Sequence, residues 1–371
     1  MEKPLILIVA GDPSGDLHGS HLARALKNGG ARVAAVGGPL LRRESDEFLE
    51  DLASHAISGF WEPVVKLPFL LGLGLRLKRF LEARRPAAVV CIDYYGFNRR
   101  VLGLAKEEGV PAYYFISPQV WASRAGRIAT LKGLVRKMLV IFPFEADIYR
   151  KAGVPVSFVG HPLLDLITPP DRPGLLEPPL TVGLLPGSRS SEVRRHLPVF
   201  LEAFRLLQRH FPQSRALLFA SSHLPDSAYA GAAGTAELVR DGGYSQRAGL
   251  DLVISSSGTA TLENALLGLP MVVVYKMSWL TYAVARALIK VRYISMANLL
   301  AGRGLVPELI QQEATPQNVA RAALGLLEDP RRYAQLRQDL LALRRVLGEP
   351  GAARRAADEI LSSLREQAAA P

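Results

Sequence analysis

Leu5-Ile6-Leu7-Ile8-Val9-Ala10-Gly11-Asp12-Pro13-Ser14-Gly15-Asp16-Leu17-His18-Gly19 runs from an apolar hexamer straight into a loop of glycine, acids and proline. A short, wholly apolar run closed by Gly reads as a strand buried on both faces, and the residues after it open a helix. Such a strand, loop and helix is the first step of a doubly wound parallel sheet, in which ligands bind at the carboxyl ends of the strands. The loop lacks G-x-G-x-x-G spacing and a Walker lysine, so dinucleotide and P-loop readings are weak. Its two acids would repel a phosphate, so Ser14, Gly15 and Asp16 point to sugar hydroxyls as ligand. Turn geometry alone would also explain the glycines.

The same pattern continues outward. Strand-like runs at 33–36, 87–92, 112–116, 138–142 and 156–159 alternate with helical stretches such as 20–28 and 99–108. It breaks at Thr168-Pro169-Pro170-Asp171-Arg172-Pro173-Gly174, which sustains neither helix nor strand. A second series follows at Thr181–Leu185, 216–220, 252–255 and Met271–Tyr275. After Pro316 only helical stretches remain, at 317–327, 331–347 and 352–367. The expectation is an α/β chain with two Rossmann-like doubly wound domains facing across a cleft, 1–168 and 169–315, and a helical tail, 316–371, packing along both.

The 371 residues, 49% hydrophobic and 21% charged, have ordinary globular composition, which excludes disordered and disulfide-scaffold classes. The single cysteine, Cys91, lies among Val89, Val90 and Ile92 and reads as a buried strand residue in a reducing compartment. No signal peptide is expected at the start, and the apolar run 67–75 is far short of the roughly 20 residues that cross a bilayer. The formal charge of +11 favours acidic partners. It is spread along the chain with no basic tail or aromatic-basic stripe, so nucleic acid is not expected as a partner. The histidines show no H-x-x-x-H or H-E-x-x-H spacing, and no metal or cofactor is expected.

Four further segments carry chemistry. Asp93, leaving the strand at 87–92 in Ile92-Asp93-Tyr94-Tyr95-Gly96-Phe97-Asn98, can accept a proton from a bound hydroxyl or cap the next helix. Leu185-Pro186-Gly187-Ser188-Arg189-Ser190-Ser191-Glu192 offers free N–H groups at a helix start beside an arginine fork, a diphosphate site. In Ser257-Gly258-Thr259-Ala260-Thr261-Leu262-Glu263 the helix start suits phosphate, and Glu263, one turn inside, suits ribose hydroxyls. Val64, Val65, Leu67, Phe69, Leu70, Leu71 and Leu73, flanked by Lys66, Arg76, Lys78 and Arg79, suit a membrane interface or a buried core helix.

Together with Ser117-Pro118-Gln119-Val120-Trp121-Ala122, Phe142-Pro143-Phe144-Glu145, Val159-Gly160-His161-Pro162 and Ala297-Asn298-Leu299-Leu300-Ala301-Gly302-Arg303, these segments resemble the lipid-A-disaccharide synthase family. The matches keep the family's order from Gly11 to about Gln311. Departures fall at Asp12, where the family often has glutamate, at Tyr94-Tyr95-Gly96, where it has Ala-Pro-Asp, and at Ser123, where it has tryptophan. The resemblance implies a GT-B fold and an inverting transfer of 2,3-diacylglucosamine from UDP to 2,3-diacylglucosamine 1-phosphate in lipid A biosynthesis. It implies Asp93 as base, with Asp12 and Asp16 as alternatives, and Asn98 near the acceptor. Gly187, Ser188, Arg189, Glu192, Ser257, Gly258, Thr259, Ala260, Glu263, Asn298 and Glu308 then hold the donor. A cytoplasmic enzyme, peripheral on an anionic surface at the inner face of the inner membrane, follows from the acyl chains of both substrates; an oligomer is compatible. The competing readings are another GT-B UDP-sugar enzyme, such as a lipid-linked N-acetylglucosaminyl transferase, or a UDP-sugar epimerase.

Overall fold

The computed structural model describes residues 3–54, 67–119, 126–171, 176, 178–240, 242–279, 282 and 292–369. Contacts divide the chain into two units, Met1–Pro162 with Leu347–Pro371, and Leu163–Val346. The boundary expected after 168 therefore falls a few residues inside the second unit. The tail expected from 316 is shared between the two.

In the first unit β1 (Leu5–Ala10), α1 (Pro13–Asn28), β2 (Arg32–Gly37), α2 (Pro39–Glu44), β3 (Glu47–Asp51), α3 (Leu67–Arg84), β4 (Ala88–Ile92), α4 (Tyr95–Glu107), β5 (Ala112–Phe115), α5 (Gly126–Lys132), β6 (Lys137–Val140), α6 (Pro143–Lys151) and β7 (Val156–Phe158) follow in order. The strands form one parallel sheet, β3-β2-β1-β4-β5-β6-β7. Its centre is wholly apolar because helices cover both faces. Leu73, Leu77 and Leu81 of α3 and Val101, Leu102 and Ala105 of α4 pack with Leu7, Val9, Val89, Cys91 and Tyr114. Burial raises the pKa of the Cys91 thiol, so the thiol is an inert core group.

The second unit opens with α7 (Leu163–Leu166) and continues through β8 (Thr181–Leu185), α8 (Ser190–Gln208), β9 (Arg215–Phe219), β10 (Glu237–Val239), α9 (Tyr244–Ala248), β11 (Leu252–Ser256), α10 (Thr259–Leu266), β12 (Met271–Tyr275), α11 (Met296–Ala301), β13 (Glu308–Ile310), α12 (Pro316–Leu327) and α13 (Pro330–Val346). Its parallel sheet has the order β10-β9-β8-β11-β12-β13. Helix α12 packs on α8, and α13 on α10 and α11. The last helix, α14 (Ala352–Ala369), returns to the first unit against α1, tied to β6 by Lys137 to Glu359 at 2.9 Å and Arg136 to Ser363 at 2.8 Å. No helix among the described residues is long and apolar enough to cross a membrane.

Three strands, β3, β10 and β13, were not expected from the sequence. Each lies at a sheet edge and carries Glu, a charge that blunts pairing with other chains and erases the apolar signal; the uncharged edge strand β7 was expected.

Candidate active site

Each sheet reverses its strand order once at its middle, between β1 and β4 in the first unit and between β8 and β11 in the second. Loops at the carboxyl ends of such a pair diverge and leave a crevice, the ordinary ligand site of an open α/β sheet. The sequence-predicted segments occupy these four positions: Gly11 and Asp12 with the first turn of α1, and Asp93–Tyr94, in the first unit, 186–189 and 257–258 in the second.

In the first unit, Ala10 pairs with Ile92, so the loop at Gly11 and the loop at Asp93 lie side by side. A Cβ on Gly11 would fall inside the Tyr94 ring, so only glycine admits this packing. Asp93 and Tyr94 both have φ of 41°, a left-handed conformation that costs non-glycine residues roughly 1–3 kcal/mol each. Buried Asn98 holds the strained turn, its Nδ2 donating to the carbonyls of Ile92 at 3.0 Å and Asp93 at 2.8 Å. Tyr114 Oη donates to the Asp93 carbonyl at 2.5 Å. Burial, reinforced by the nearby Asp12 charge and opposed by the Tyr94 N–H, pushes the Asp93 carboxyl up to about 6. A carboxylate poised there accepts a proton from a hydroxyl near neutral pH.

The other acids are engaged. Asp12 caps α1, accepting from Gly15 N at 2.6 Å and Ser14 Oγ at 2.9 Å. Asp16 is buried, and its carboxylate accepts from the N–H groups of Gly38, Leu40 and Leu41 at 2.8, 3.0 and 2.9 Å. It pins the start of α2. Asn98 likewise supports the turn that carries Asp93. His18, which the sequence reading passed over, also lies here: burial lowers its pKa to about 4, and Asp12 is among its charged neighbours.

In the second unit, helix α8 begins at Ser190, and the N–H groups of Ser188 and Arg189 are not free. They donate to Glu192 Oε2 at 3.2 and 3.3 Å. Glu192 therefore occupies the anion position that the sequence assigned to a diphosphate, while the Arg189 side chain remains 79% exposed. His196, missed from the sequence, is buried and locks this loop to the end of β12. Its Nε2 accepts from Lys276 N at 2.9 Å, so its Nδ1 carries the proton and donates to Pro186 O at 2.7 Å. Burial holds its pKa below the ordinary value.

After β11, Ser257 Oγ donates to Ile294 O and Thr261 Oγ1 to Gly258 O, both at 2.8 Å. The loop thus leaves Thr259 and Ala260 at the start of α10. Glu263 Oε2 accepts from Arg247 Nη1 at 2.6 Å and its Oε1 from Tyr244 Oη at 3.1 Å. Glu308 accepts from Ile294 N, Ser295 N, Ser295 Oγ and Asn298 Nδ2, and Asn298 also binds Leu305 N, Val306 N and Val306 O. These bonds join α11 to β13, and Glu308 Oε2 accepts only the Ile294 N–H among them.

The membrane set divides. Leu73 is 1% exposed and belongs to the core, correcting its assignment to lipid, and Phe69 and Leu70 pack partly against that core. Leu71 is 50% exposed. Val64, Val65 and the Leu67 side chain lie outside the described residues. Among those described, no cluster of His, Cys, Asp and Glu could hold a metal ion.

Two Rossmann-like units in one chain, each with loops at its switch point, define the GT-B class. In line with this, the structure resembles a putative UDP-N-acetylglucosamine 2-epimerase from Listeria monocytogenes, with TM-score 0.69, 13% identity, and 100% and 99% of the two chains covered. It also resembles MurG of Acinetobacter baumannii, with TM-score 0.60, 17% identity, and 97% and 99% covered. At these identities the likeness is one of fold. In sequence, residues 6–361 match the family model described as lipid-A-disaccharide synthetase. A lipid-A-disaccharide synthase of Syntrophus aciditrophicus (strain SB) is 42% identical over 380 aligned positions, 99% of each chain. The chain belongs to the lipid-A-disaccharide synthase family and is a hexosyltransferase that forms the lipid A disaccharide.

Proposed function

We propose that the chain transfers 2,3-diacylglucosamine from its UDP conjugate to the 6-hydroxyl of 2,3-diacylglucosamine 1-phosphate, with inversion, giving a β(1→6) disaccharide and UDP. The observation that carries this reading is Asp93, held in a strained turn at the first unit's switch point with its carboxyl pushed up to about 6. Asp93 takes the proton of the 6-hydroxyl as that oxygen bonds to the anomeric carbon. The bond from that carbon to the diphosphate oxygen breaks, and its electron pair leaves with UDP. Arg189 and the backbone N–H groups near Gly187 and Gly258 meet the developing charge, with Glu192 yielding its place at Ser188 and Arg189. Glu263 accepts from ribose hydroxyls. The step uses no cofactor and no metal ion.

The first unit would rest on an anionic bilayer, at the cytoplasmic face of the inner membrane, to collect its acylated substrates. A cavity of about 870 Å³ between α3, α4 and the stretch after α5 supports this. Its lining combines apolar residues such as Leu104 and Leu134 with four cations, Lys78, Arg99, Arg100 and Lys106, and one acid, Glu107. Leu71 and Leu75, 50% and 62% exposed, flank it. Apolar contact surface among side chains of net positive charge complements acyl chains beneath phosphate headgroups.

The test is to incubate purified protein with both substrates and follow UDP release and product mass. Equimolar UDP and disaccharide are expected. An epimerised donor, or UDP without disaccharide, would overturn the reading.

A further inference from the structure

Glu263 does not stand alone in the second unit. Both members of its pair with Arg247 are 16% exposed, and the Arg247 guanidinium lies 5.8 Å from the Phe219 ring centre and 5.7 Å from that of Tyr244. Rings on Phe219 and Tyr244 hold the planar cation in place. Arg247 reaches one carboxylate oxygen and Tyr244 the other. Burial and the Glu263 charge raise the Tyr244 pKa, so the phenol stays protonated and donates.

A carboxylate has about four lone-pair sites, two on each oxygen. Arg247 and Tyr244 fill one on each, which fixes the plane of the group and leaves one acceptor site on each oxygen. Two acceptors side by side on a rigid carboxylate match two adjacent hydroxyls. We infer that Arg247 and Tyr244 are positioning residues that hold Glu263 as a two-point acceptor for a vicinal diol, and so set a preference for ribonucleotide over 2′-deoxyribonucleotide donors. This rests on the reading of Glu263 as the ribose-binding group.

The experiment is calorimetric titration of the full-length protein and its variants with UDP and with 2′-deoxy-UDP, reading the ratio of the two affinities. The native protein should favour UDP by about tenfold or more, the worth of a hydrogen bond to a charged group. Arg247→Met should bring the ratio towards one by weakening UDP, which loses alignment of both hydroxyls, more than 2′-deoxy-UDP, which has only its 3′-hydroxyl to lose, and Arg247→Lys should restore part of it. Tyr244→Phe, which removes one hydroxyl and keeps the ring, should lower the ratio severalfold and serves if Arg247→Met does not fold. A merely structural pair would weaken both ligands alike. If Glu263→Gln collapses the ratio while Arg247→Met and Tyr244→Phe keep it, the positioning role is wrong and the ribose assignment stands. If Glu263→Gln keeps the native ratio, or the native protein shows no preference, the ribose assignment fails and the inference with it.

Discussion

A Cβ placed on Gly187 would come within 2.5 Å of Glu192 Oε2, so the glycine is what lets this carboxylate fold back over its own loop. Gly187 also has φ of 117°, a conformation that a side chain would strain. The Ser188 and Arg189 N–H groups thus already face an anionic acceptor, Glu192 Oε2.

Glu192→Gln should tighten UDP binding severalfold, because a neutral amide competes less well with an anion for the Ser188 and Arg189 N–H groups. Arg189→Ala should weaken UDP by about tenfold or more, the loss of a charge-assisted contact. Calorimetry checks both, and weaker binding by Glu192→Gln would place the diphosphate elsewhere.

Asp93→Asn should lower kcat by roughly 10²–10⁴ with UDP affinity unchanged, because a general base is lost. In the native protein, activity should rise as pH climbs through about 6, where Asp93 ionises. The stability effect has the opposite sign. A carboxyl raised above its ordinary value stabilises the fold fully below 3.8, and that contribution is lost as pH rises through about 6. A pH profile of kcat alongside chemical denaturation at several pH values measures the two.

Asp12→Asn should move the acid limb of that profile to lower pH, since the Asp12 charge is a secondary cause of the raised Asp93 value. Asparagine can still cap α1, so the melting temperature should change little. An unmoved limb would mean that burial alone sets the Asp93 value.

Asp16→Ala should cost about 3 kcal/mol or more, because three backbone N–H groups at the start of α2 lose a charged acceptor. UDP affinity should persist in the folded fraction. Urea denaturation checks the first, and a stable but inactive variant would return Asp16 to the list of bases.

Leu71→Ser with Leu75→Ser should reduce sedimentation with anionic vesicles while leaving the melting temperature nearly constant, because both side chains are exposed. Leu73→Ser should do the reverse, since it buries a hydroxyl in the core. Equal vesicle binding by the double variant and the native protein would remove this face from the membrane reading.

The strands at the centre of each sheet were legible because burial on both faces demands unbroken apolar runs, as in Leu5–Ala10 and Met271–Tyr275. The charged edge strands such as Glu47–Asp51 were not, because their acids break the apolar pattern. The loops at the carboxyl ends of the central strands were legible as glycine and acid clusters, the Asp93 turn among them.

Local sequence therefore determined the central strands of the two parallel sheets and the four loops at the switch points, since each depends on residues a few positions apart. It did not determine which polar side chain in those loops is free. Asp16 accepts from backbone 22 to 25 residues away, Asn298 donates to Glu308 across ten, and Arg247 reaches Glu263 across sixteen. An unpaired buried polar group is costly, so its partner decides its role, and only the tertiary structure brings that partner within hydrogen-bonding distance.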